Sequence, residues 1–288
     1  MQPIVTGFFH EPSQTVSYVV ADPNDHHCAV IDAVLDYDPG RGRTSTTAAD
    51  AIVAVVQTRG LTVDWVLETH AHADHLSAAA YLKGRLGGRL GIGAHIRDIQ
   101  EYWRRLYNAV GAIPPDGSQF DRLFEEGDVI EVGAMSGTVW HTPGHTACDV
   151  TYLFGDAAFV GDTLFMPDYG TARADFPGGD ARTLYRSIQR IQSLPDGTRI
   201  FSGHDYLPKS GRTEHAWQST AAAQRSSNVH VHGGVSEDAF VALRTARDRT
   251  LTPPQLLLPA LQVNIRGGRL PEPEDNGRSY LKIPLNTI

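Results

Sequence analysis

The stretch from Val63 to Leu76, V-D-W-V-L-E-T-H-A-H-A-D-H-L, constrains this chain more than any other. An apolar run with β-branched and aromatic residues ends abruptly in three histidines and an aspartate at the spacing H-x-H-x-D-H. Small and apolar residues then resume a helical pattern. This is the pattern of a strand that delivers metal ligands. Where a strand end turns into a helix, the two-residue alternation lets His70 and His72 point the same way, and Asp74 and His75 fall in the first turn that follows. Imidazole and carboxylate suit zinc, iron or manganese, and no cysteine in the stretch demands a softer ion. The bland alternative is a polar loop that happens to be rich in histidine, and the spacing argues against it.

With 288 residues the chain is ample for a buried core, as one large domain or two small ones. Hydrophobic residues at 41% and charged residues at 20% fit an ordinary globular protein rather than a disordered one. Lys and Arg number 25 against 33 Asp and Glu, a net charge of −8, and no basic run stands out. Nucleic acid and anionic membrane surfaces are therefore not expected partners. The start, M-Q-P-I-V-T-G-F-F-H, lacks the basic and apolar regions of a signal peptide, and no apolar run is long enough to span a bilayer, so a cytoplasmic protein is expected. Two cysteines, Cys28 and Cys148, make no disulfide framework; burial is the expected state of both, although Cys148 follows a second histidine motif closely.

Along the chain, strands are expected over Ile4–Phe9, Thr15–Ala21 and Cys28–Ala33, then a turn-rich segment over Asp36–Thr46 and a helix over Thr47–Arg59. After the ligand cluster a helix is expected from Leu76 to Leu86, a strand over Leu90–Ala94 and an amphipathic helix over Ile96–Ala109. Strands at Val129–Val132 and Thr138–Trp140 lead to a second motif, H-T-P-G-H-T (His141–Thr146). Strands Val150–Phe154 and Ala157–Val160 lead to Gly161-Asp162; helix Ala181–Leu194 and strand Arg199–Ser202 lead to G-H-D-Y (Gly203–Tyr206). Beyond this, Glu214–Arg225 and Glu237–Arg247 read as helices and the end of the chain as loop. His230 and His232 have no carboxylate or third histidine nearby and read as a solvated strand end.

Four strand ends thus offer His70, His72, Asp74, His75, His145, Asp162 and His204. Loops at one edge of a layered α/β fold can gather such residues. Seven groups are enough for two cations bridged by a carboxylate, which would activate water for hydrolysis. Two histidines and one carboxylate would instead form the facial triad of non-haem Fe(II), and the inventory leaves both open.

T-H-A-H-A-D-H, T-P-G-H-T, G-D-T-L and G-H-D-Y, in this order between Thr69 and Tyr206, resemble the metallo-β-lactamase superfamily. The resemblance implies an αββα sandwich of two mixed β-sheets flanked by helices. It implies a catalytic domain over residues 1–212, with residues 213–288 as a C-terminal helical and loop extension packed on the same domain. Two branches come closest, the glyoxalase II hydrolases with two metals and the persulfide dioxygenases with one Fe(II). The R-x-D-F at Arg173–Phe176 and the H-D-Y at His204–Tyr206 are similar to the dioxygenase branch; the hydrolases usually carry R-F-F at the former place.

The dioxygenase resemblance implies one Fe(II) per chain on His70, His145 and Asp162, with His72, Asp74, His75 and His204 arranged around it or serving a second metal. Arg173 and Tyr206 match positions that hold the glutathione part of the substrate; the less favoured alternative for Arg173 is a surface ion pair with Asp175 or Asp168. The implied partners are a small-molecule persulfide and O₂, giving sulfite and thiol. The alternative is a hydrolase of acylglutathione thioesters with two zinc, iron or manganese ions. Similar proteins are often dimers, with the C-terminal region as an available interface. Two extra residues between Asp162 and Arg173, Ala174 in place of a usual threonine, and long segments over Asp36–Thr46 and Gln100–Phe120 depart from the glutathione-specific pattern and are expected to shape the entrance to the site.

Overall fold

Every residue of Thr15–Ala21 is buried, because alternation sends its side chains into two different cores. Val16, Tyr18 and Val20 enter one hydrophobic cluster and Val19 and Ala21 another. A strand covered on both faces belongs inside a layered molecule. The computed structural model describes residues 2–209 and 211–287 of the chain.

The first half contains strands β1 (Ile4–His10), β2 (Thr15–Ala21), β3 (His27–Ile31), β4 (Val34–Asp38) and β5 (Arg43–Ser45), then helix α1 (Thr47–Thr58) and strands β6 (Thr62–Leu67) and β7 (Leu76–Ser77). Helix α2 (Ala79–Leu86), strand β8 (Arg89–Gly93), helix α3 (Ile96–Leu106) and strand β9 (Arg122–Phe124) follow. The second half contains strands β10 (Val129–Val132), β11 (Met135–His141), β12 (Val150–Phe154) and β13 (Ala157–Phe159), helix α4 (Ala181–Gln192), and strands β14 (Arg199–Phe201) and β15 (Gln218–Thr220). Helices α5 (Ala221–Ser227), α6 (Glu237–Asp248) and α7 (Leu257–Asn264) complete the described elements.

One sheet has the order β1-β2-β3-β6-β8-β9 and the other β10-β11-β12-β13-β14-β15. Both are mixed: β3, β6, β8 and β9 run parallel, as do β13 and β14, and the other neighbours are antiparallel. Between the sheets Tyr18, Ile31, Trp65 and Leu67 meet Val139, Tyr152, Phe154 and Phe159. Outside the first sheet, Ile52, Val53, Leu82, Trp103 and Leu261 of α1, α2, α3 and α7 share its cluster. Outside the second, Leu184, Ile188 and Phe240 of α4 and α6 do the same. The fold is the expected αββα sandwich of two mixed sheets flanked by helices.

Four local expectations are corrected. Leu76 and Ser77 are strand, not helix, because they pair with Leu35 and Val34, and α2 starts only at Ala79. The turn-rich segment 36–46 contains most of a hairpin, β4 against β5, whose polar residues conceal the strand period. Gln218–Thr220 is an edge strand on β14, so the helix expected from Glu214 starts at Ala221, with Thr220 accepting from the Ala223 N–H at 3.1 Å as its cap. The boundary expected at residue 212 therefore falls within the second sheet. His230 is buried rather than solvated and accepts at Nδ1 from the Thr171 N–H at 3.1 Å. No helix among the described residues is long and apolar enough to cross a membrane.

Candidate metal centre

The four strand ends converge at one edge of the sandwich. His70 follows β6, His145 lies in the β11–β12 connection, and Asp162 and His204 follow β13 and β14. Two glycines permit this approach. Gly161 has φ +50° and a Cβ there would stand 2.5 Å from Thr69 Oγ1, while a Cβ on Gly203 would stand 2.6 Å from Asp162 Oδ1.

Asp162 Oδ2 lies 3.6 Å from His145 Nε2, 3.9 Å from His70 Nε2 and 3.4 Å from His204 Nε2. Ligand atoms bound at about 2.0–2.2 Å to one small divalent ion stand roughly 3–4 Å apart, so these residues fit a metal. His70, His145 and Asp162 form one such group. His70 Nε2 and Asp162 Oδ1 are buried polar atoms without a hydrogen-bond partner among the described residues, and such atoms in a buried site call for an ion or water.

The hydrogen bonds also select the tautomers a metal requires. His145 Nδ1 donates to the Arg173 carbonyl at 2.8 Å, His204 Nδ1 to the Gln14 carbonyl at 3.1 Å, and His75 Nδ1 to the Leu76 carbonyl at 3.0 Å. Thr69 Oγ1 spends its proton on Asp32 Oδ2, so it accepts from His70 Nδ1 at 3.0 Å. In its neutral form each of the four rings keeps its lone pair on Nε2. Burial, then the charges of His72 and His145, hold the His70 pKa well below its usual value, which keeps the ring neutral.

His72 behaves differently. Its ring lies 4.0 Å from that of His70, but its Nε2 is 3.0 Å from Asp32 Oδ1 and 3.3 Å from Glu68 Oε2. Burial opposes protonation there, yet Asp32 and Glu68 outweigh it and raise the His72 pKa well above the usual value. The shared direction expected for His70 and His72 thus holds for the rings and not for the donor atoms. His72 groups with Asp74 and His75, and also with Asp32 and Glu68. Asp74 Oδ2 is 3.5 Å from His204 Nε2. Burial lowers His75 to about 4; it opposes protonation of His204 too, but Asp162 and Asp74 raise that ring to about 9.

A cavity of about 620 Å³ opens onto these groups, lined among others by Asp74, His75, His145, Asp162, Phe176, His204 and Tyr206. Arg173 lines it too, but its fork is closed on Asp175 at 2.6 and 2.9 Å, and it donates to the Thr252 carbonyl at 2.7 Å. Tyr206 stacks on His204 at 5.3 Å and packs against Tyr169 at 4.9 Å. Tyr37 and Pro39 of the 36–46 segment line the mouth, whereas nothing from residues 100–120 does; that segment packs instead on α7, with Gln100 donating to the Ile265 carbonyl at 2.9 Å. Both thiols are buried, and burial pushes Cys148 and Cys28 up to about 12, so neither is a reactive thiolate.

Three supporting groups escaped the sequence reading. Asp32, at φ +52°, accepts from Thr69 N and Oγ1 at 2.7 and 2.8 Å; its signal was a carboxylate at a strand end, as at Asp162. Asn264 of α7 donates to the His72 and His75 carbonyls at 2.7 and 2.8 Å, and no local pattern announces it. Arg244 of α6 is buried against the cavity, paired with Asp248 at 2.7 Å and donating to the Thr171 carbonyl at 3.0 Å.

Comparison with known proteins agrees with this geometry. The family model described as "Metallo-beta-lactamase superfamily" matches residues 10–204. The chain is 57% identical over 286 residues to a "Beta-lactamase hydrolase-like protein" of Xylella fastidiosa, covering 99% of this chain and 65% of that protein, so it spans just under two thirds of that relative. It is 47% identical to "Glyoxylase B2" of Dictyostelium discoideum, over 96% of this chain and 94% of that one. It is 32% identical to "Persulfide dioxygenase ETHE1, mitochondrial" of Bos taurus, over 69% of this chain and 66% of that one. Among solved structures, ETHE1 from Myxococcus xanthus superposes with a TM-score of 0.73 at 28% identity, covering 92% of this chain and 100% of that one. Sandwich, motifs, converging ligands and these similarities together place the chain in the metallo-β-lactamase superfamily.

Proposed function

We propose that the protein is a persulfide dioxygenase, oxidising a glutathione-type or other low-molecular-weight persulfide with O₂ to sulfite and thiol at one Fe(II). His70, His145 and Asp162 would hold the ion as a facial triad. The observation that carries this reading is the diversion of His72: its Nε2 faces Asp32 and Glu68, and it stands outside the His70–His145–Asp162 group. Similarity to the two ETHE1 proteins supports it. Bound there, Fe(II) supplies the means for triplet O₂ to react with closed-shell sulfur.

The chain's own residues do the rest. Thr69 and the Arg173 carbonyl orient His70 and His145. Phe165, Phe176, Leu251 and Leu256 give the cavity apolar walls, which shelter a reactive persulfide from water. Tyr206 and the backbone-anchored Arg173 would border the carrier part of the substrate. Arg247 lines the same cavity, suiting it to a carboxylate on that carrier.

A binuclear thioester hydrolase is the second reading, favoured by unpartnered nitrogens: among the described residues His72 Nδ1 and His75 Nε2 are buried without a hydrogen-bond partner, and both residues group with Asp74, close to His204. An oxygen electrode with glutathione persulfide, run beside a thioester hydrolysis assay on the same sample, separates the two. The dioxygenase reading expects O₂ uptake and sulfite; thioester turnover without O₂ uptake overturns it.

A further inference from the structure

The tripeptides Val16-Ser17-Tyr18 and Val150-Thr151-Tyr152 make the same set of bonds from opposite sheets. From β12 in the second sheet, the Val150 N–H donates to the Thr69 carbonyl at 2.9 Å and the Tyr152 hydroxyl to the Glu68 carbonyl at 2.9 Å; the next residue is His70. From β2 in the first sheet, the Val16 N–H donates to the Gly203 carbonyl at 2.8 Å and the Tyr18 hydroxyl to the Ser202 carbonyl at 2.5 Å; the next residue is His204. Each pair of donors thus clamps two consecutive carbonyls of the other sheet's strand end, just before a histidine of the metal edge. Alternation puts the Val and Tyr of each tripeptide on one face, and all four side chains lie in the core between the sheets. The clamp from β2 also reaches Asp162, because the Gly203 N–H donates to the Gly161 carbonyl at 2.8 Å.

We infer that Tyr18 and Tyr152 are positioning residues of the metal centre: their hydroxyls, with the Val16 and Val150 amides, fix the spacing across the sandwich at which His70 meets Asp162 and His204. This holds for one ion or two and for either reaction, since it rests on metal binding alone. His70 Nε2 and His204 Nε2 stand 3.9 and 3.4 Å from the same Asp162 Oδ2, and the ligands of one small ion tolerate little more separation, so a small drift of either strand end takes a donor out of range. Tyr18 and Tyr152 are 1% and 0% exposed. Phenylalanine at either place would fill the same space and remove the donor from a buried carbonyl.

Zinc affinity of the full chain is measured by chelator competition, beside Tm, for Tyr18→Phe, Tyr152→Phe and Phe154→Leu. Each tyrosine variant is expected to bind zinc roughly tenfold more weakly, the lower end of what the partners of ligating residues contribute. Phe154 lies in the same core at the far end of β12, so Phe154→Leu lowers Tm and leaves zinc affinity within about twofold. That contrast separates positioning from stability alone. A second readout needs no variant. Coupling is reciprocal, so zinc must tighten the clamps of the wild type: amide exchange slows at Val16 and Val150 more than at Val20 and Phe154, at the far ends of the same strands. If a tyrosine variant does not fold, the exchange measurement decides. Unchanged zinc affinity in either tyrosine variant, a loss as large in Phe154→Leu, or exchange that slows equally at both strand ends overturns the inference, as does a wild type that binds no zinc.

Discussion

At the scale of single residues, the site is a division of labour among similar side chains. Asp162 Oδ2 meets three histidine Nε2 atoms within 3.9 Å, so Asp162→Asn and His145→Ala are expected to lose iron and activity together. The loss should exceed about 100-fold, beyond what groups that only orient ligands contribute, and metal analysis beside the activity assay checks it. His72→Gln separates the readings more sharply. It leaves Asp32 and Glu68 buried without their cation, which costs about 3–5 kcal/mol as a lower Tm, while the proposed one-metal site predicts an unchanged metal content. A variant that loses metal outright would make His72 a ligand. Sequence located Asp162 and the histidines but not Asp32 or Glu68, and it did not assign roles, because H-x-H-x-D-H states which donors are present and not which nitrogen each ring presents.

At the scale of elements, α7 holds the ligand loop in place. Asn264 donates to the His72 and His75 carbonyls and accepts from the Ser77 N–H at 2.8 Å. Asn264→Ala removes three buried hydrogen bonds, so a loss of roughly 2–4 kcal/mol in stability and 10–100-fold in metal affinity is expected, read by denaturant melts and chelator competition. His230 underlies the 166–171 loop, where burial, with the charges of Arg244 and Arg247, lowers its pKa to about 4 from 6.5. The unfolded chain therefore binds a proton that the fold does not. The neutral ring's contribution is complete above about 6.5 and is lost as pH falls towards 4, an effect of roughly 3 kcal/mol. His230→Asn, which retains an acceptor near Nδ1, should flatten stability between those pH values in urea melts; an unchanged acid limb would contradict the assignment. Alternating and apolar strands such as β2 and β12 are legible in sequence, because their period is fixed by burial. Strands β4, β5 and β15 are not, being short, polar and dependent on partners elsewhere.

At the scale of the molecule, two sheets with helices outside leave one edge where strand ends from both halves meet, and the C-terminal region closes the other side of the cavity. Residues 251–256 line it, α6 packs on α4 through Phe240 and Leu184, and β15 extends the second sheet. The motifs made the fold and the ligand inventory legible. The contribution of residues 213–288 was not, since Asn264 meets its partners across 189 and 192 residues of sequence and no local pattern records a contact of that range. Nor does the ligand motif alone decide between one metal and two. Stepwise addition of Fe(II) to metal-free protein, followed by O₂ uptake with glutathione persulfide, tests this most directly. The account predicts that uptake rises linearly and breaks at one Fe(II) per chain; a break at two, or no uptake at any loading, would contradict it.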